Sequence, residues 1–567
     1  MKKKKIPYGI SNFEALQNDN YYFVDKTRYI QTLEEGNEKY IFFLRPRKFG
    51  KSLFVSLLQY YYGIEHKDSF DKLFGEYYIG RNPTPKANSY YILPFDFSGI
   101  ETQNTDSTFN SFKKSVQFSV DSFLRKYKLL DENDHEEVIY QENASDILKA
   151  LFGKLNSKLN NKKLFILIDE YDHFTNELIS FRLTEFKEIV SKNGYVRKFY
   201  EVIKTGTGSG IVDRFFATGV TPITLDSLTS GFNIGKDKTT DFRFNEMLGF
   251  SDEEVKQMLD YYEVENSIEM MSDLRKLYNG SLFSPEAATR MYNSNMILFF
   301  MSEYLPQNMY PRRLIDTNIA SDYSKIKNIF YINNSTEHQQ KLKEIISSGE
   351  TAAVITEKFS FERPFNTDDF VSLLFYNGML TIKEAQFAET IFQIPNYVIK
   401  EVYWSFFGML VEEENDLVFN SDKIRNGMRE LAYYNKIENW LLQIEYVLNQ
   451  LSNRDYQKFD EKYIKLIFIT LASLSQLYII KSEAEVEGEY PDLMFLYRKP
   501  FKPNHQFLIE LKYLKKSEDK KLSEKMDEAK SQVMRYLEKS EIKFLENLRS
   551  YAIVFVGDKS YFEEVEN

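Results

Sequence analysis

The feature that most constrains this chain is one uninterrupted run near its N-terminal end: YIFFL, then RPRKFGKS, then LFVSLLQYYY. A short apolar run, a loop ending in Gly-Lys-Ser and an amphipathic stretch make a strand–loop–helix unit. Such a strand is buried on both faces only inside a mainly parallel sheet flanked by helices. Gly50 permits close backbone approach to a phosphate, Lys51 would reach the outer phosphates, and the Ser52 hydroxyl would ligate Mg²⁺. The helix N-terminus adds its dipole and free N–H groups. The usual phosphate-binding loop opens on glycine, and here Arg45 stands in that place, with Pro46 still able to turn the chain. From the loop alone, a nucleotide site and a chance Gly-Lys-Ser both remain open.

A second run sharpens the choice. KLFILIDE (Lys163–Glu170) is a buried strand ending in adjacent carboxylates, Asp169 and Glu170, with Asp172 two residues further on. Carboxylates there need a reason, because an unpaired buried charge is costly. In phosphate-loop chemistry the Asp holds the Mg²⁺ water shell and the Glu polarises the attacking water. Solvated acids at an exposed strand end are the alternative. YYILPFDFSG (Tyr90–Gly99) and RFFATGV (Arg214–Val220) read as further strands. Thr218 or Thr221 is placed to sense a γ-phosphate, with a plain turn as the alternative, and Arg214 is a candidate charge stabiliser. Ser251 and Glu254 have capping-box spacing before a helix.

IPYGISNFEALQNDNYYFVDKTRYI, RPRKFGKSLF, LIDEYD and FFATGVTPIT together resemble the AAA-ATPase-like family, whose loop has the form R-P-R-[RK]-F-G-K-S. Arg45 matches that variant. The resemblance continues through LYNGSLFS and IPNYVIKEVY, where Ser281 replaces the second Tyr of the related Y-x-G-Y-x-F pattern. It implies an ATP site formed by Arg45, Pro46, Arg47, Lys48, Phe49, Gly50, Lys51, Ser52 and Thr218, with Ser52 and Asp169 on Mg²⁺ and Glu170 catalytic. VDKT (Val24–Thr27) also recurs in that family, and Asp25 and Lys26 are expected to pack or ion-pair beside the site.

Near the other end, YPDLMFLYRKPFKPNHQFLIELK places Asp492 at the start of one strand, then seventeen residues, then Glu510 and Lys512 on another. Residues two apart on a strand share a face, so a hairpin would bring all three together. Two carboxylates bind one or two Mg²⁺, and a lysine can orient or help deprotonate a water or stabilise phosphorane charge. Glu510 and Lys512 lie inside the apolar run FLIELKYL, where unpaired charge is costly. Glu483 is a candidate outer metal ligand, and Gln532 a candidate for positioning the lysine or a phosphate. A structural Glu–Lys pair, or a degenerate nuclease fold, is the alternative. The tail resembles the PD-(D/E)XK nuclease superfamily, with Tyr490 where the related G-x-G-R-x-D pattern has Arg. That resemblance implies catalysis by Asp492, Glu510 and Lys512, with Mg²⁺ or Mn²⁺ on Glu483, Asp492 and Glu510.

Length and composition set the frame. With 567 residues, about three domains are expected. These are an α/β phosphate-loop NTPase domain of the ASCE/AAA-like type with a parallel sheet (1–280), a mostly helical middle domain (281–450) and a restriction-endonuclease-like α/β domain (451–567). In the middle, FVSLLFYNGMLTI and FQIPNYVIKEVYW read as helix, strand, loop, strand, helix; a winged-helix-like module and a helical linker with one hairpin are both open. The absence of cysteine excludes disulfides and zinc–thiolate sites and agrees with a reducing cytoplasm. MKKKK is not followed by an apolar signal-peptide core, and Leu466–Ile480 is too short to span a bilayer and reads as a buried helix entering a strand. The net charge of −11 argues against non-specific coating of nucleic acid. Residues 511–543, with ten basic and seven acidic side chains, permit a local groove but also suit a solvated helix face. The expectation is a cytoplasmic ATPase joined to a Mg²⁺-dependent nuclease, with no membrane partner and with homo-oligomerisation open. DNA is favoured over RNA by family analogy alone. The alternative is a nucleotide-dependent switch whose C-terminal domain binds a partner or nucleic acid without cutting.

Overall fold

The computed structural model describes residues 3–174, 194–222, 232–321, 336–359, 365–451, 460–483 and 485–566. The chain divides into two compact units. One comprises Met1–Ser302, Ile315–Ile345 and Gly349–Tyr397; the other comprises Glu303–Leu314, Ile346–Ser348 and Val398–Asn567.

The first unit is built on β1 (Tyr40–Leu44), β2 (Tyr90–Asp96), β3 (Lys163–Asp169), β4 (Val212–Gly219) and the short β5 (Lys236–Asp237). They pair in the order β2-β3-β4-β1-β5, all parallel. The strands are near-continuous apolar runs because helices cover both faces. Helix α1 (Lys51–Tyr62) follows β1 and packs on β2, β3 and β4, while α2 (Thr105–Tyr127) packs on β2. Strand β4 lies between the loop-bearing β1 and the acidic β3. The C-terminal ends of all three therefore meet at one edge, where ligands of open α/β sheets bind. The expected cap forms: Glu254 N–H donates to Ser251 Oγ at 3.3 Å and Ser251 N–H to Glu254 Oε2 at 2.8 Å, opening α3 (Asp252–Tyr261).

Further along this unit, β6 (Glu350–Ala353), β7 (Thr381–Gln386) and β8 (Glu389–Gln393) form an antiparallel sheet in the order β6-β8-β7 beside α4 (Thr367–Tyr376). The helix–strand–loop–strand–helix order matches the pattern read from the sequence. Strand β6 was not visible there, since ETAA has no apolar alternation. One boundary between the two units falls between Tyr397 and Val398, within residues 281–450.

The second unit holds a mixed sheet of β9 (Tyr478–Ser482), β10 (Leu493–Tyr497), β11 (Gln506–Leu514), β12 (Leu548–Val556) and β13 (Lys559–Glu564), ordered β13-β12-β11-β10-β9. Strands β9, β10 and β11 pair antiparallel, β11 and β12 parallel, and β13 returns antiparallel on β12. Helix α5 (Glu461–Ser473) precedes β9, as the buried-helix reading of this region required. Helix α6 (Leu522–Leu537) is the crossover between the parallel pair. Its buried stripe of Met526, Ala529, Val533 and Tyr536 has helical spacing and packs with Leu508, Ala552 and Val554 of the sheet.

Candidate active sites

The N-terminal loop leaves β1 and re-enters regular structure at Lys51. Lys48 (φ 67°) and Gly50 (φ 97°) both take left-handed backbone, which curls the loop over the start of α1. A side chain on Gly50 would meet open space, with only Ser294 Oγ at 3.8 Å, so its φ and not crowding favours glycine. The buried Lys51 ammonium donates to the carbonyls of Arg45 (3.0 Å) and Pro46 (3.1 Å). Burial pulls its pKa down, opposed by the charges of Glu170, Asp169 and Asp172.

The Arg45 side chain turns into the protein. It is 1% exposed and donates to the carbonyls of Leu44, Thr239 and Phe244, each at 2.8 Å. The guanidinium lies 4.3 Å from the Phe43 ring centroid and 4.0 Å from that of Phe283. Its backbone N–H is also committed, to Gly219 O at 3.2 Å. Arginine at this position bolts the loop to the segment that follows the sheet.

A set of contacts that the sequence did not reveal holds the other side of the loop. Asn293 Nδ2 donates to Arg47 O at 3.1 Å, Ser294 Oγ to Lys48 O at 3.2 Å and Asn295 N–H to Lys48 O at 3.3 Å. Gly249 N–H donates to Phe49 O at 3.1 Å, and the Phe49 and Phe283 rings meet edge to face at 5.4 Å. With their carbonyls so held, the loop residues are fixed in place.

Asp169 ends β3 in hydrogen bond with Ser52, its pKa pushed up to about 6 by burial against the opposing pull of Ser52 and Lys51. Glu170 follows in left-handed backbone (φ 50°), and its Oε2 lies 3.0 Å from His173 Nδ1. That hydrogen bond, with Lys51 nearby, holds the carboxyl down to about 2. The Asp169–Ser52 pair is the donor set that a nucleotide's Mg²⁺ uses, so these residues fit that ion.

Three further residues fall differently from expectation. The Thr218 hydroxyl donates to Phe43 O at 2.8 Å inside the sheet. The Thr221 hydroxyl and N–H donate to Asp172 Oδ2 at 2.9 and 2.6 Å, which makes Asp172 the buried anchor of the β4 exit. Arg214 lies near the start of β4, the far end of the strand from the loop, close enough to Tyr90 and Tyr62 to influence both. Lys26 donates to Glu246 O at 2.9 Å and pairs with Glu254 at 2.6 Å, while Asp25 accepts from Thr27 and from Tyr78 N–H, so VDKT is a tie between segments.

A cavity of about 460 Å³ opens over the loop. Arg47 to Ser52, Glu170 and His173 form its polar side, and Pro7, Ile10, Phe23, Leu248, Phe250 and Leu298 its apolar side. A polar floor for phosphates beside an apolar wall for a base is the division a nucleotide requires.

In the second unit, strand alternation brings Glu510 and Lys512 to one face, with Lys512 Nζ 2.7 Å from Glu510 Oε1. Antiparallel pairing of β10 with β11 sets Asp492 beside them, its Oδ2 accepting from Leu511 N–H at 2.9 Å. Burial and then the Asp492 charge push Glu510 up to about 7, and its Oε2 is buried without a hydrogen-bond partner. Burial pulls the Lys512 ammonium down, but Glu510, Glu461 and Asp492 outweigh it and the net shift is upward. Gln532 on α6 also buries an unpartnered oxygen. Tyr490 is exposed, and His505 sits beside Phe507 at the far end of β11 from Glu510.

Two members of this cluster were not read from the sequence, both from α5. Glu461 reaches Lys512 at 3.8 Å. Lys465 lies 2.5 Å from Asp492 Oδ1 and 2.8 Å from Glu483 Oε1. A lone lysine within YIKLIFIT was the available signal. Glu483 thus meets Asp492 through Lys465. The unpaired oxygen of Glu510 beside the buried Asp492 fits a divalent cation. Among the described residues no three His, Cys, Asp or Glu converge as a ready-made cage. Two carboxylates completed by water and substrate oxygens are the habit of Mg²⁺.

Sheet order, loop and acidic strand end define a phosphate-loop nucleotide domain, and the Asp–Glu–Lys face a nuclease-like domain. The family model described as "Predicted AAA-ATPase" matches residues 7–229, and that of the PD-(D/E)XK nuclease superfamily matches residues 459–565. The first unit's parallel sheet thus lies in a region similar to AAA-ATPase-like domains, and the second unit's mixed sheet in a region similar to the PD-(D/E)XK nuclease superfamily. It is 26% identical over 318 residues to the "Uncharacterized protein in vnfD 5'region" of Azotobacter chroococcum mcd 1, a match covering 54% of each chain. The chain thus spans about half the length of that curated relative. Among the described residues no helix is long and apolar enough to cross a membrane.

Proposed function

We propose that this protein binds and hydrolyses ATP at its N-terminal site and uses that cycle to control metal-dependent cleavage of nucleic acid, most plainly DNA, at its C-terminal site in the cytoplasm. The observation that carries the reading is the buried Asp492–Glu510–Lys512 face, with one carboxylate oxygen left unpaired, in a chain that also builds a complete phosphate loop.

At the first site, Lys51 would exchange the Arg45 and Pro46 carbonyls for phosphate oxygens, and Ser52 and Asp169 would hold Mg²⁺. Glu170 would orient the attacking water, with His173 fixing its carboxylate. At the second, Asp492 and Glu510 would hold Mg²⁺ or Mn²⁺, which supplies Lewis-acid stabilisation of phosphorane charge. Lys512, kept protonated by its carboxylates, would orient the water and offset that charge, and Gln532 offers its buried amide for positioning.

One observation favours a second reading. One Glu170 carboxylate oxygen is engaged by His173 at 3.0 Å. That suits slow turnover and a nucleotide-dependent switch that binds nucleic acid without cutting it.

Cleavage of plasmid and single-stranded DNA with Mg²⁺ or Mn²⁺, with and without ATP, separates the two. We expect cutting by the intact protein, none by Lys512→Ala, and loss of ATP dependence in Lys51→Ala. No cutting of DNA or RNA by the intact protein in any lane would leave the switch.

A further inference from the structure

We propose that the Lys465 ammonium is a built-in counter-ion filling the Asp492–Glu483 edge of the C-terminal site, so that this site takes one divalent cation, between Asp492 and Glu510, and not two. The inference rests on the metal-dependent reading above and specifies its stoichiometry.

The geometry is specific. Lys465 Nζ lies 2.5 Å from Asp492 Oδ1 and 2.8 Å from Glu483 Oε1. Its side chain is 8% exposed and that of Asp492 10%, so water screens little of the attraction. An ammonium that bridges two carboxylates occupies the place a second cation would take. The other Asp492 oxygen accepts the Leu511 N–H at 2.9 Å, which leaves the partnerless Oε2 of Glu510 as the vacant acceptor.

Around Asp492 and Glu510 the cations already in place are Lys465 and Lys512, and Glu483 and Glu461 add carboxylates on the solvent side, 53% and 41% exposed. Lys465 projects from α5, the element before β9, so its ammonium is delivered by the fold and not by the metal-binding strands.

The test is Mn²⁺ titration of the full, nucleotide-free protein, followed by calorimetry and by the EPR signal of free Mn²⁺. Asp492→Asn serves to subtract ions bound elsewhere. We expect the intact protein to bind one more Mn²⁺ than Asp492→Asn. Lys465→Gln should bind two more, or bind the first at least tenfold more tightly, while Lys465→Arg should behave as the intact protein. Should Lys465→Gln fold poorly, the intact protein's own count still decides. Two ions above the Asp492→Asn background, or an unchanged count and affinity in a folded Lys465→Gln, would overturn the counter-ion role and leave the metal site standing. No difference between intact protein and Asp492→Asn would overturn the metal-dependent reading itself, and this inference with it.

Discussion

Arg45 occupies the position where phosphate loops usually carry glycine, and its chemistry here is that of a strut. Three carbonyls and two aromatic faces enclose a buried cation, so removing it strands those carbonyls and opens a cavity. Restoring the common motif with Arg45→Gly is therefore expected to harm the protein. Urea unfolding should show a loss of about 3–5 kcal/mol, the scale for breaking a buried charged network, with no gain in nucleotide affinity by titration. A stable Arg45→Gly with tighter ATP binding would show that the arginine's role is not to hold the loop. Gly219 has a comparable constraint: an added Cβ would lie 2.2 Å from Asp172 Oδ1 and 2.5 Å from the Tyr171 ring. The glycine of ATGV is thus required by packing beside the anchor, which no local rule would reveal.

Among the elements, strands and their motifs were the more legible. β1, β3 and β11 announce themselves as apolar runs, and their functional residues sit where period-two alternation puts them. What alternation could not say is which way each terminal side chain turns. Thr218 has the right place for a phosphate sensor, yet its hydroxyl satisfies Phe43 O across the β1–β4 pair. The Asn293–Asn295 segment was invisible for another reason: a polar tripeptide at the start of a helix reads as an ordinary cap. In the folded chain it makes three hydrogen bonds to two loop carbonyls, those of Arg47 and Lys48. Asn293→Ala should therefore raise the Kd for ATP roughly tenfold while costing about 1 kcal/mol of stability, the net worth of one hydrogen bond. Equal ATP affinity, read by fluorescent-nucleotide competition, would show that the clamp has no bearing on the site.

For the whole molecule, the two sites lie in different compact units, each with its own sheet. Binding that is confined to one unit stabilises that unit by mass action. ATP at a hundred times its Kd should stabilise the N-terminal unit by about 2.7 kcal/mol, read as a shift of its unfolding transition. Lys51→Ala should abolish that shift and leave Mn²⁺ binding at Asp492 and Glu510 unchanged. A Lys51→Ala protein that lost Mn²⁺ binding as well would mean the sites are not independently folded. Apolar periodicity, the Gly-Lys-Ser loop, the paired acids of LIDE and the spacing from Asp492 to Lys512 determined the two α/β domains and their chemical classes from sequence alone. They could, because each depends on residues close in the chain, on one strand or loop or on the two strands of one hairpin. Strand order, the burial of Arg45, the cavity wall from Pro7 to Leu298 and the lysine between Asp492 and Glu483 were decided only by tertiary structure. Those features come from partners far apart in the chain, whose meeting depends on packing across the whole sheet and leaves no mark in local pattern.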